Sequence, residues 1–167
     1  MEYAIRHART RDVRAISGLV DENVESGRLL AKATVTLYED VQEFWVAERA
    51  GDSKIIGCGA LHVMWEDLAE IRTIAVRADC QGHGVGHRLV EALLGSAREL
   101  GVSRVFVLTF AVDFFARHGF KEIDGAPVSH KVYEELLRSY DEGVAEFLDL
   151  DRVKPNTLGN TRMLLRL

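Results

Sequence analysis

The chain has 167 residues, a formal charge of −5 and a pI near 5.7, so no overall basic field draws it to nucleic acid or to an anionic membrane, and a small-molecule partner is expected. With 47% hydrophobic residues, 28% charged residues and two prolines, the composition excludes disorder, and the length suits one domain over residues 1–167. The opening MEYAIRHART carries no apolar signal core, and no stretch approaches the roughly 18 apolar residues of a membrane span, so a cytoplasmic location is expected.

Tyr3–Arg6 reads as a strand, and Thr10 is placed to cap a helix whose apolar positions Val13, Ile16, Leu19 and Val20 recur at helical spacing and which ends near Gly27. Gln42–Arg49 and Lys54–Trp65 are rich in strand formers and flank the turn signal Ala50-Gly51-Asp52-Ser53, which predicts an antiparallel hairpin. A third strand, Leu68–Val76, leads to the glycine-rich Gln81–Gly86, and Val85, Leu89, Val90, Leu93, Leu94, Ala97 and Leu100 form the stripe of a helix stopped by Gly101. Arg104–Phe110 reads as a buried strand and Ala111–His118 as a short helix closed by Gly119. Beyond Pro127, Val132–Tyr140 looks helical, Val144–Leu150 fits neither period, and Thr161–Leu167 is a final strand. The order describes an α/β chain with a glycine turn at the carboxyl end of a strand, where open sheets bind ligands.

Wrapping a pyrophosphate takes several backbone N–H groups converging on one point, and glycines allow both the close approach and the positive φ this requires. Gly82, Gly84 and Gly86 supply that freedom, and the helix that starts near Val85 adds its unpaired N–H groups and its positive dipole end. A nucleotide P-loop would end in Gly-Lys-Ser/Thr, but His87 and Arg88 follow Gly86; a dinucleotide loop would have G-x-G-x-x-G rather than this G-x-G-x-G. Cys58 and Cys80 form no C-x-x-C pair, and the six histidines, His83 and His87 included, lack the two-at-i,i+4 plus carboxylate arrangement of a helical zinc site, so neither disulfide nor metal is expected.

Ile74-Ala75-Val76 followed by Gln81-Gly82-His83-Gly84-Val85-Gly86 resembles the acetyl-CoA motif of the GNAT acetyltransferases, and Phe114–Phe120 is similar to that family's second cofactor-side signature. The resemblance implies a GNAT fold, α/β (α+β), with a central mixed, mostly antiparallel sheet flanked by helices and acetyl-CoA as co-substrate. It also implies that the strand before the loop is splayed by a bulge, that the backbone of Ile74, Ala75 and Val76 binds the pantetheine arm and thioester, and that Gln81 to His87 and Phe115 complete the cofactor site. By the same resemblance an N–H near Ile74 polarises the thioester oxygen.

Acetyl transfer needs a neutral amine, so a base must take its proton near neutral pH. Glu70 lies four residues before Ile74, on the same strand face if alternation holds, and matches by resemblance the family's general-base glutamate. A strand-edge charge paired with Arg72 is the competing reading. Phe115 stands where many relatives place a tyrosine acid; Thr109 and Tyr133 are the stand-ins, and a CoA thiol acidic enough to leave unaided makes an acid dispensable.

Taken together, Gly27–Lys32, Glu70–Val76, Val107–Phe110, Phe114–Phe120 and Ser129–Lys131 look like the acetyltransferase domain of the N-acetylglutamate synthases, in particular a short, stand-alone actinobacterial form. That resemblance implies transfer to the α-amino group of glutamate or of glutamine, which shares the same α-groups, at the first step of arginine biosynthesis. Lys32, Arg72 and Lys131, with Arg28 as a fourth, fall at or near positions that resemble the substrate pocket, where fixed cations meet an α-carboxylate. A homodimer is an expectation at the level of the family. Two other readings keep the loop: a GNAT enzyme acting on a protein N-terminus or lysine, and a non-catalytic acyl-CoA-binding module.

Overall fold

The computed structural model describes residues 1–27, 29, 31–157 and 159–167. Its strands are β1 (Tyr3–His7), β2 (Phe44–Arg49), β3 (Ile55–Trp65), β4 (Leu68–Val76), β5 (Arg104–Thr109), β6 (Lys121–Glu122) and β7 (Thr161–Arg166), and its helices are α1 (Val13–Glu25), α2 (Thr34–Glu39), α3 (Val85–Glu99), α4 (Val112–Ala116), α5 (His130–Leu136), α6 (Glu142–Phe147) and α7 (Lys154–Thr157). The strands form one sheet in the order β1-β2-β3-β4-β5-β7-β6; β4 and β5 run parallel, while β1–β2, β2–β3, β5–β7 and β6–β7 are antiparallel. The chain divides into two compact units, Met1–His62 with Thr73–Ser96, and Val63–Arg72 with Ala97–Leu167.

In the first unit the stripe Val13, Ile16, Leu19 and Val20 of α1 packs with Phe44, Val46, Cys58, Ala60 and Ala75 in one buried cluster. Helix α3 approaches the backbone of β3 because glycine stands there: a Cβ on Gly59 would lie 3.0 Å from Leu93 Cδ1, and one on Gly57 would lie 3.0 Å from Val85 Cγ1. Burial in the first unit pushes the Cys58 thiol up to about 12, although it accepts the Ala75 N–H, so it is an inert core side chain.

Two sequence expectations change here. Thr10 opens a 3₁₀ turn, Thr10–Asp12, and the side chain that organises the entry to α1 is Asp12, which accepts the Arg9 N–H at 2.8 Å and hydrogen bonds from both terminal nitrogens of Arg6 at 2.7 and 3.0 Å. The strand placed at Gln42 begins at Phe44, after a 3₁₀ turn over Val41–Glu43. The β-branched Thr34, Val35 and Thr36 have poor helix propensity, which hid α2; its buried Leu37 joins the α1 cluster and anchors it.

Hydrogen bonding to Arg6 lowers the Asp12 carboxyl below its ordinary value, against the opposing effect of burial. A group lowered in this way contributes stability above the ordinary carboxylate range and loses it as the pH falls through the lowered value. Asp12→Asn is therefore expected to lower the Tm at about pH 7 and to converge on the parent as the pH falls through the lowered value; a difference that stays constant with pH would contradict this linkage.

In the second unit Leu68, Phe106, Leu136, Val144, Phe147, Leu148 and Leu164 form the core, with the Phe106 and Phe147 rings edge-on at 5.0 Å. Helix α6, which fitted neither period in the sequence, is capped by Asp141, whose carboxylate accepts the Val144 N–H at 2.9 Å. At its far end Arg162 donates to the Glu146 carbonyl at 3.0 Å and to the Phe147 carbonyl, and its guanidinium lies 5.0 Å from the Phe106 ring centre. Orphan carbonyls of a helix C-terminus are thereby satisfied by a cation.

Candidate active site

The glycine turn forms the end of β4 and the start of α3. After Val76 a 3₁₀ turn over Ala78–Cys80 leads into Gln81–Gly84, where Gly82 and Gly84 adopt φ of 79° and 78°, a region that side-chain-bearing residues avoid. Tyr3 of β1 supports the turn, its hydroxyl donating to the His83 carbonyl at 3.2 Å, while Gln81 Nε2 donates to the Val76 carbonyl at 3.4 Å. Among the described residues the N–H groups of Gly82, His83 and Gly84 have no backbone acceptor, and the first-turn amides of the 15-residue α3 have none within their own helix. N–H groups without backbone acceptors at the N-terminus of a long helix suit an anion.

The strand leading to this turn presents its backbone selectively. Arg77 N–H donates to the Ile56 carbonyl at 2.9 Å and Ala75 N–H meets Cys58 Sγ, so Ala75 and Arg77 are bonded towards β3. Strand geometry then turns the N–H and C=O of Ile74 and Val76 to the opposite edge. Just before them Thr73 has φ 60°, a left-handed value rare for a β-branched residue. This interrupts the alternation on which Glu70 and Ile74 were expected to share a face, so that argument does not carry across Thr73.

Glu70 lies further back on β4 and is 3% exposed. In the second unit the parallel ladder runs from Leu68↔Arg104 to Glu70↔Phe106 and, among the described residues, goes no further although β5 continues to Thr109; Glu70 is thus the last paired residue. Arg72 Nε and Nη2 both donate to Glu70 Oε2, at 3.1 and 2.5 Å. The two-pronged pairing is made instead with Asp141, whose Oδ2 and Oδ1 take Arg72 Nη1 and Nη2 at 2.8 Å each. Burial would lower the Arg72 guanidinium, but attraction to Glu70 and hydrogen bonding to Asp141 hold it above its ordinary value. Glu70 Oε1 has no described donor, and no fully buried side-chain oxygen or nitrogen among the described residues lacks a partner, so Oε1 is reached from solvent. A buried carboxylate held through one oxygen and open at the other can accept a proton.

The remaining sequence-predicted residues divide. Arg72, expected to meet a substrate carboxylate, is occupied by two carboxylates of the chain itself. Lys32 is half-buried in the segment between α1 and α2, Lys131 is exposed in the first turn of α5, and Arg28 lies outside the described residues. Phe115, expected at the cofactor, is 4% exposed and packs edge-on to Phe120 at 5.3 Å, so apolar packing takes up its ring. Thr109 Oγ1 accepts the Ala111 N–H at 2.9 Å, and Tyr133 packs against the second unit's core, which gives both local structural work. Tyr3, Asp141 and Gly143 were missed; only Asp141 gave a signal, an acidic residue ahead of Val144, Phe147 and Leu148.

A groove of about 590 Å³ in the first unit is lined by Arg6, Arg11, Asp12, Glu48, Lys54 and Arg77 among others, and no sequence-predicted site residue is in its wall. Arg6 pairs with both Asp12 and Glu48 there, so much of its charge is internally balanced. Among the described residues no group of three or more His, Cys, Asp or Glu is placed to hold a metal ion, and no helix is long and apolar enough to cross a membrane.

The seven-stranded mixed sheet and the glycine turn after β4 are those of an acetyltransferase, and residues 20–120 match the Acetyltransferase (GNAT) family: the chain belongs to it. It is 61% identical over 163 residues to an amino-acid acetyltransferase of Mycobacterium tuberculosis, spanning 96% of this chain and 92% of that one. The crystal structure of Rv2747 from the same organism, in complex with CoA, superposes with a TM-score of 0.95 at 61% identity over 98% of this chain and 99% of that one. The N-acetylglutamate synthase of Neisseria gonorrhoeae, solved with coenzyme A and N-acetyl-glutamate, superposes at 0.78 with 25% identity; this whole chain spans 35% of that larger one.

Proposed function

We propose that the protein transfers the acetyl group of acetyl-CoA to the α-amino group of glutamate or glutamine, a reaction that opens arginine biosynthesis in the cytoplasm. The observation that carries the chemistry is the buried Glu70 carboxylate, fixed through Oε2 and open at Oε1. The substrate class is supported by the 61% identity to an amino-acid acetyltransferase over nearly the whole chain.

In this reading the amides of Gly82 to Gly86 receive the pyrophosphate and the edge-facing backbone of Ile74 and Val76, with Ala75 between them, aligns the pantetheine arm, the Ile74 N–H donating to the thioester oxygen as charge develops on it. Glu70 Oε1 takes the proton of the incoming ammonium and so exposes the nitrogen lone pair. A thiol with an ordinary pKa near 8.5 leaves as thiolate without an acid, which fits Phe115 where relatives carry tyrosine. Lys32 and Lys131, which have no described ion-pair partner, are the cations assigned to the α-carboxylate, with Arg28 a further candidate by resemblance; Arg72 is reassigned to holding Glu70. The enzyme works as a homodimer in the manner expected of its family.

The test offers acetyl-CoA with glutamate, glutamine, arginine, lysine or a short peptide and identifies the acetylated product by mass. N-acetylation of glutamate or glutamine at the α-nitrogen is expected. Product from the peptide alone would replace the amino-acid reading with a protein-acetylating one.

A further inference from the structure

The clamp on Glu70 reaches outside the part of the chain that matches the family, which ends at residue 120. Asp141 caps α6 and takes both terminal nitrogens of Arg72, so the guanidinium is shared and Glu70 receives it at one oxygen only. The first turn of α6 lies directly on this pair: a Cβ on Gly143 would collide with Arg72 Nη2 and lie 2.7 Å from Glu70 Oε2. Contacts that short require something to move, so a glycine is dictated by the clamp although Gly143 has no positive φ.

We propose that Asp141 and Arg72 are positioning residues that hold Glu70 by Oε2 and keep Oε1 available to the amine, and that Gly143 is the space they require. The inference rests on Glu70 being the base. Without Asp141's negative charge, Arg72 is no longer divided and closes on both Glu70 oxygens, which blocks Oε1. The charged groups around Glu70 are Arg72 on its own strand, Asp141 at the start of α6, and Arg162 of β7, whose charge couples to it.

Asp141→Asn separates the clamp from the helix cap, because asparagine caps a helix as well as aspartate does. The expected result is a kcat about 10- to 100-fold lower with a KM for acetyl-CoA within about twofold of the parent. Asp141→Ser, also a helix cap, should give the same pattern and serves if the amide disturbs folding. Unchanged kcat in variants that retain the parent's circular dichroism, while Glu70→Gln is inactive, would overturn the positioning role and leave the base intact. Full activity in Glu70→Gln would overturn both.

Discussion

Glu70→Gln is expected to lower kcat by about 10²- to 10⁴-fold, the usual contribution of a positioned general base, or about 3–5 kcal/mol of barrier. The amide keeps the size of the side chain and can still accept from Arg72 through its oxygen, so little packing is lost. What disappears is the proton acceptor at the Oε1 position. The loss should be in kcat rather than in the KM for acetyl-CoA, because Glu70 lies outside the glycine turn. It should also shrink at high pH, where more of the amine arrives already deprotonated. A uniform loss at every pH, together with a large rise in the KM for acetyl-CoA, would instead mark Glu70 as a structural charge.

Gly84→Val is expected to raise the KM for acetyl-CoA by about 10- to 100-fold while leaving kcat at saturation within a few-fold. Forcing a β-branched residue into the left-handed region costs about 1–2 kcal/mol, and each 1.4 kcal/mol is tenfold in affinity. Gly84 has φ 78°, and the nearest atom to a Cβ placed there is the Tyr3 hydroxyl at 3.7 Å, so ordinary crowding is not what forbids a side chain. The requirement is conformational, with the added obstruction of the amides facing the anion. Gly95, within α3 with nothing within 4 Å of a Cβ, is the control: Gly95→Ala should leave both constants unchanged and favour the helix by about 0.5–1 kcal/mol. Equal effects at both positions would show that helix α3, not the turn, governs binding.

The glycine turn was legible in the sequence because backbone conformation is written directly into residue type there: Gly82 and Gly84 both adopt positive φ. Strands β3, β4 and β5 and helices α1 and α3 were legible for a related reason, since each buries a continuous apolar set whose period shows. Glu70 was harder. Its spacing from Ile74 could be counted, and the family resemblance implies a bulge in this strand, but nothing in Arg72-Thr73-Ile74 places the left-handed residue at Thr73, between the two. Nor could a linear reading tell a cation for the substrate from a cation for the base: Arg72 meets Asp141, 69 positions further along the chain. Gly143 shows the same limit, since its glycine is required by side chains brought to it only by folding.

The most direct test of the whole account is release of free thiol from acetyl-CoA by the intact protein with glutamate or glutamine, followed beside Glu70→Gln. The account predicts thiol release that depends on the amino acid, matches the N-acetylated product mole for mole, and is nearly abolished in the variant. Tight binding of acetyl-CoA with no thiol released for any amine would contradict it and leave a module that binds the cofactor without using it.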